Sequence, residues 1–373
     1  MKTTKTRSGW FDANVVSTVL ITKLLILGFA YQSYQIINDQ PLASVYRFFD
    51  IWRHWDADNY LKLAEFGYSA VGDQRFLIVF FPLYPALVAL FGLVTRDVLI
   101  SGFVVSFFAS VALGLLFKRL VRLDLSERTS QVAVLFLFIF PTSYFLHIPY
   151  TESLFLALVV GCFLAARTRR WAVAGLLGGL ACLTRINGLV LMPAMLFEIW
   201  AEYRETKRVN ASWTWLLLIA AGFAAYLGLN YFVTGSPTMF MVYQREHWYK
   251  YLRLPIYGIW EAFKTAINDK PEAALTHGYQ ELLFVFIGLI GTIAGWRYLR
   301  NSYRVWMVGN WLLFVSTSFV LSVPRYTLIM FPLFILMAQS SMKNWTLRTL
   351  YTVWSILFLA LFTTQFVRGW WAF

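Results

Sequence analysis

Leu77-Ile78-Val79-Phe80-Phe81-Pro82-Leu83-Tyr84-Pro85-Ala86-Leu87-Val88-Ala89-Leu90-Phe91-Gly92-Leu93 carries no charge and is nearly long enough to cross a bilayer. Whether it crosses fixes the orientation of everything after it. Pro82 and Pro85 each remove a backbone donor and crowd the preceding turn, so a helix lying on the interface, or dipping into it, suits the stretch better than a clean span. Charge supplies the test. If 77–93 stays on one side and 171–202 forms two short helices, the N-terminus is cytoplasmic. Six short connections then face the cytoplasm: Lys2/Lys5/Arg7, Lys118/Arg119/Arg122/Arg128, Arg167/Arg169/Arg170, Arg204/Lys207/Arg208, Arg297/Arg300/Arg304 and Lys343/Arg348. Together they hold more than half of the 32 basic residues. Making 77–93 a span would put the next three clusters outside, and joining 171–202 into one helix would reverse every later one. The bias of Lys and Arg toward cytoplasmic loops rejects both.

Working outward, the sequence divides into eleven apolar membrane segments, at about 14–36, 98–117, 130–149, 151–166, 171–185, 188–202, 213–233, 281–297, 304–322, 326–341 and 349–366. The 373 residues are 59% hydrophobic and 14% charged, with a mean hydropathy of +0.60. A soluble domain carries roughly 25% charge and lacks serial runs of about 20 apolar residues. Barrel strands would alternate in polarity, and these runs do not. The fold class is therefore an all-α polytopic integral membrane protein, one domain over 1–373, since no repeat or low-complexity linker interrupts it. The net charge of +13 is scattered between apolar segments, which argues against a nucleic-acid partner. Cys162 and Cys182 fall within apolar segments and read as packing residues. No small-residue cleavage site follows the first segment, so no cleavable signal is expected.

This topology gives the outer face two long connections, about 37–97 and 234–280. The first carries Asp39, Asp50, Asp56, Asp58, Glu65 and Asp73, and carboxylates beside a bilayer are costly enough to suggest chemistry. The same face collects His147, Tyr150 and Glu152; Arg185 and Asn187; Gln244, Arg245, Glu246, His247 and Trp248; and Arg325 with Tyr326. A carboxylate can take a proton from an attacking hydroxyl. Arginines can hold a departing phosphate through bidentate, charge-assisted bonds. Rings such as Trp52, Trp55, Tyr60 and Trp248 suit sugar faces and lipid headgroups alike. These parts fit glycosyl transfer from a lipid-linked sugar phosphate.

Each part also has a plainer role. Asp56 and Asp58 can cap a loop helix running to about Phe66, and Glu152 can cap the helix it opens. Arg185 and Arg325 can snorkel to headgroups. His147 and His247 suit packing. A spacing of two turns Asp56 and Asp58 to different faces, which leaves Asp56 as the base and Asp58 as its support. Their Asp-x-Asp spacing also suits a metal on a nucleotide-sugar phosphate, but the outer placement argues against a cytosolic nucleotide donor.

At these residues the chain resembles the PIG-V family, the GPI second mannosyltransferases and their prokaryotic relatives, within the GT-C membrane glycosyltransferases. The matching pieces are Trp55-Asp56-Ala57 with Tyr60 and Gly67-Tyr68; Phe80-Phe81-Pro82-Leu83-Tyr84-Pro85; Phe140-Pro141-Thr142 with Tyr150-Thr151-Glu152-Ser153-Leu154-Phe155; Thr184-Arg185-Ile186-Asn187-Gly188; and Pro324-Arg325-Tyr326. They extend from about residue 50 to 330, most of the chain. The resemblance implies a GT-C fold with interfacial helices in the first outer loop, Asp56 as catalytic base, a polyprenyl- or dolichyl-phosphate donor of mannose, and inversion. The chain is shorter than expected of a eukaryotic GPI enzyme, and no retrieval tail is visible. A prokaryotic plasma membrane and a glycan or glycolipid acceptor are therefore expected.

The expected mechanism is a single displacement with oxocarbenium character. Arg325 is the first choice for the phosphate, then Arg185, then Arg245; Glu152, Asn187, Gln244 and Trp248 orient donor or acceptor. No cofactor or metal is required, although a divalent ion is compatible with the scheme. A lipid-linked-sugar transporter would instead place charges near the bilayer midplane, where Lys23 stands alone. A ligase or polymerase using lipid-diphosphate glycans would share the outer arginines but has less use for the loop aspartates.

Overall fold

The computed structural model describes residues 11–38 and 44–373. Lys2, Lys5, Arg7 and Asp39 of the sequence reading lie outside them. Among the described residues the regular structure is helical, apart from one isolated antiparallel bridge, Leu252 to Thr317. Helix occupies part of all eleven apolar stretches. Among the described residues, five helical stretches are long and apolar enough to cross a membrane: Ala13–Asn38, Val98–Arg122, Ala211–Thr234, Pro271–Tyr298 and Trp345–Val367. The others are shorter; Trp171–Cys182, with 12 residues, rises only about 18 Å against a hydrocarbon core of about 30 Å.

Three stretches that the sequence reads as single apolar segments are broken. The 130–149 run is a helix only over Glu127–Ile139; Pro141 follows, and a 3-10 turn spans Ser143–Leu146. The 304–322 run is helical over Asn301–Val315 and then opens into a loop. The 326–341 run divides into Val323–Leu328 and Pro332–Lys343, each with a proline in its first turn, where its missing N–H costs nothing. The 77–93 stretch is also two pieces, Asp73–Val79 and Leu83–Thr95, which meet at 114° around Pro82. Aromatic side chains pin this elbow: Tyr226 donates to the Ile78 carbonyl at 2.8 Å and its ring stacks on Phe81 at 3.9 Å. The Leu83 N–H reaches the Leu183 carbonyl at 2.9 Å, tying the elbow to the turn that carries Arg185.

The five described basic clusters are joined at one end of the bundle. Arg167 pairs with Asp124 at 2.5 Å, Arg169 with Glu205 at 2.5 Å, and Arg300 with Glu198 at 3.1 Å. Arg167 also donates to Tyr303 at 3.3 Å, and Lys343 lies 6.0 Å from the Tyr298 ring. Lys118 brings Asp12, at the start of the first helix, into the same layer at 2.5 Å. The clusters assigned to one face by charge alone are thus physical neighbours.

Candidate active site

The helix Asp56–Phe66 begins directly after the aromatic turn at Trp52 and Trp55. Trp55 stands at φ 55°, a conformation that bulky side chains rarely adopt and that concentrates at functional sites. Its ring is packed edge-on against Trp371 at 5.1 Å. That strained entry aims Asp56 inward. Neither Asp56 nor Asp58 caps the helix.

Asp56 meets Arg325 instead, Oδ2 to Nη1 at 2.7 Å, although 269 residues separate them. Arg325 sits in the short helix Val323–Leu328, and its Nε lies 3.3 Å from Glu152 Oε1 without the alignment of a hydrogen bond. Glu152 opens the helix Glu152–Arg167 but does not cap it; Arg185 Nη1 holds its Oε1 at 2.5 Å and donates to Thr151 Oγ1 at 2.9 Å. Four separate segments therefore build one alternating cluster, Asp56–Arg325–Glu152–Arg185. Arg185, Arg325 and Glu152 are 9%, 5% and 0% exposed, so the arginines do not snorkel to headgroups. The Asp56 side chain, 24% exposed, is the member most open to an incoming molecule.

Tyr326 lies at the centre of the positive charge. Arg185 and Arg325 each stand 5.4 Å from its ring centroid, and Lys250 stands 5.3 Å away. Three cations thus surround Tyr326, with the carboxylates Asp56 and Glu152 beside two of them. Tyr60 closes the floor, its ring against Phe80 at 5.1 Å and Tyr150 at 6.2 Å. Burial, and then the Asp56 charge, pushes the Tyr60 phenol upward, so it stays protonated.

The remaining expected residues stand apart from the cluster. Asp58 turns away, as its spacing requires, to Arg53 at 2.7 Å and Lys62 at 2.6 Å. Burial works against the Asp58 charge, but those two bonds outweigh it and hold the carboxyl below its ordinary range. Asn187 donates to Asn310 at 2.9 Å, bracing the turn behind Arg185. Arg245 is exposed and stacks over Tyr251 at 5.5 Å, outside the charge cluster. Gln244 is half-buried on the same helix, Met239–Glu246. Trp248 packs against Phe80 at 5.9 Å, so it borders the Tyr60 floor. His147 is buried and its carbonyl accepts from Lys23 at 3.0 Å, whereas His247 stacks on Phe76 at 4.0 Å. Among the described residues no three His, Cys, Asp or Glu side chains converge as metal ligands.

No family model matches the chain. It is 26% identical over 289 residues to GPI mannosyltransferase 2 of Schizosaccharomyces pombe, a match covering 65% of this chain and 60% of that protein. Its fold matches the oligosaccharyltransferase of Archaeoglobus fulgidus in the apo form, with a TM-score of 0.51 and 13% identity, over 98% of this chain and 57% of that one. In sequence the chain is similar to that mannosyltransferase, and in fold to that oligosaccharyltransferase. It spans about 60% of the length of the curated relative. The PIG-V-like motifs quoted from the sequence are the segments that supply Asp56, Glu152, Arg185 and Arg325. Sequence reasoning missed Lys250, Asn310, Thr151 and Phe373. The Phe373 ring lies 5.1 Å from the Arg325 guanidinium. Only Thr151 carried a signal, its place beside Glu152; the others become neighbours only through the fold.

Proposed function

We propose that the chain is an inverting membrane glycosyltransferase that moves mannose from a polyprenyl or dolichyl phosphate to a hydroxyl of a glycan or glycolipid. The observation that carries this reading is the gathering of three cations, Arg325, Arg185 and Lys250, around Tyr326 beside the partly open Asp56. A departing phosphate is the anion that such a group of cations can hold. Asp56 accepts the proton of the acceptor hydroxyl as its oxygen attacks the anomeric carbon. The bond to the phosphate oxygen breaks on the opposite face, and its electron pair leaves with the phosphate. Arg325, assisted by Arg185 and Lys250, neutralises that oxygen. The Asp56–Arg325 contact opens to admit substrate, which frees Arg325 for the phosphate and Asp56 for the hydroxyl. The scheme runs without metal or cofactor.

The same reading places the charge cluster on the extracytoplasmic face of a prokaryotic plasma membrane, the N-terminus in the cytoplasm and eleven segments in the bilayer. The elbow at Pro82 is then an interfacial element beside the site. Its test is transfer of labelled sugar from polyprenyl-phosphate-mannose in membranes, comparing the wild type with Asp56→Asn. The variant should lose about two to four powers of ten in rate, the contribution of a positioned base. A folded variant with full turnover overturns the assignment. Movement of the whole labelled lipid across the membrane without sugar transfer would make the protein a transporter.

A further inference from the structure

Glu281 is fully buried, yet it is no part of the cluster around Arg325. It is the second residue of the helix Gln280–Tyr298, directly after a π-helical stretch, Ala274–Tyr279. Its two oxygens take different backbone donors: the Ser322 N–H at 2.8 Å and the Val323 N–H at 2.7 Å. These residues are the N-cap and first position of the six-residue helix that carries Arg325 and Tyr326. Ser322 stands at φ 66° and ψ 24°, left-handed backbone that a serine occupies only at a cost, and its own side chain does not cap the helix. One residue earlier, Lys250 Nζ donates to the Leu321 carbonyl at 3.4 Å. Three consecutive residues before Arg325 are thus gripped by side chains from elsewhere in the chain. A carboxylate is an expensive way to fill buried space, and an apolar side chain would fill it at lower cost. Two charge-assisted bonds to strained backbone are what the charge supplies.

We propose that Glu281 is a positioning residue: a two-pronged clamp that holds Ser322 left-handed and so aims Arg325 at Asp56 and at the donor phosphate. This rests on the transferase reading. Released from the clamp, Ser322 relaxes toward ordinary backbone angles and turns Pro324 and Arg325 with it.

Glu281→Gln keeps the shape but points an amide NH2 at one of the two N–H groups, breaking one prong. Donor kcat/KM should fall by about a hundredfold, the scale of a misaimed catalytic group, while the acceptor KM holds. Ser322→Gly added to Glu281→Gln should recover most of the loss, because glycine adopts this backbone without strain. Combined with Arg325→Lys, Glu281→Gln should add little further loss, since both act through one guanidinium. Should Glu281→Gln not fold, Glu281→Asp, which keeps the charge and one prong, carries the same three comparisons. Failure of both to fold, or losses that fall equally on donor and acceptor, ignore Ser322→Gly and multiply with Arg325→Lys, make Glu281 a purely structural residue and overturn the proposal. If Arg325→Lys alone leaves donor kinetics unchanged, the phosphate assignment itself fails, which is a separate outcome.

Discussion

Arg325 spends its donors unequally. Nη1 is committed to Asp56 at 2.7 Å, whereas Nε stands 3.3 Å from Glu152 with no aligned acceptor. A guanidinium with a spare, correctly buried N–H is set to take a second oxygen, and lysine cannot copy that fork. Arg325→Lys should therefore raise the donor KM by about tenfold or more, roughly 1.4 kcal/mol, with the acceptor KM unchanged. Equal donor kinetics in the two proteins would move the phosphate elsewhere. Asp58 makes the opposite case. It neighbours Asp56 in sequence but is tied to Arg53 and Lys62, so Asp58→Asn should leave turnover within about threefold and lower stability by about 1 kcal/mol or less, as for a partly exposed pair. Its folded pKa is depressed, so this contribution is present above the ordinary carboxylate pKa and lost as pH falls through the lower, folded value. Melting curves of wild type and Asp58→Asn should differ at pH 7 and converge only in strong acid. Asp56, Glu152, Arg185 and Arg325 were legible because charges and carboxylates are conspicuous between apolar runs. Glu281 was not: an acid at the start of a span reads as a headgroup neighbour until Ser322 folds against it.

Helices were legible wherever apolar runs were long, because a buried backbone must satisfy its own hydrogen bonds. Their interruptions were not. Over a window as long as a span the dip at Pro141-Thr142-Ser143-Tyr144 is averaged out by the apolar residues on both sides, and the helix in fact ends at Ile139. The short helix Trp171–Cys182 shows what lets an element of 12 residues hold its place. Its glycines let the helix Leu217–Thr234 approach at backbone distance: a Cβ on Gly222 would stand 2.1 Å from the Gly179 carbonyl oxygen. Small residues are the usual device for such contact within a bilayer. Gly222→Ala must push the helices apart, and the expected cost is about 1–3 kcal/mol, as for overpacking. Transfer activity should fall too, since Arg185 stands three residues beyond Cys182. Gly228→Ala, on the same helix with nothing within 4 Å of its added carbon, is the control and should be neutral or slightly stabilising. Matching melting temperatures for the two variants would mean that the close crossing contributes nothing.

The parity of basic connections along the sequence takes a physical form in the fold. The basic loops touch one another at one end through Arg167–Asp124, Arg169–Glu205 and Arg300–Glu198, while Asp56, Glu152, Arg185 and Arg325 form one cluster of their own. A chain that merely scattered lysines and arginines among apolar runs would not gather them so. The count of crossings was harder to read, because several helices are too short to span alone and the Pro82 elbow folds back at 114°. Orientation can be measured directly. Val71, 74% exposed in the first long connection, and Val209, 80% exposed beside the Arg204/Lys207/Arg208 cluster, lie in connections that charge parity assigns to opposite faces. Cys162 and Cys182 are buried, so they contribute little background to thiol labelling. With a membrane-impermeant maleimide applied to intact cells, Val71→Cys should label fully and Val209→Cys should label only after the membrane is opened. Both labelling from outside would require an odd number of crossings between them to be removed, and would break the parity that puts the base and the arginines on one face. Reversed labelling would keep the cluster intact but turn it to the cytoplasm, where a nucleotide-linked donor becomes the chemically sensible partner.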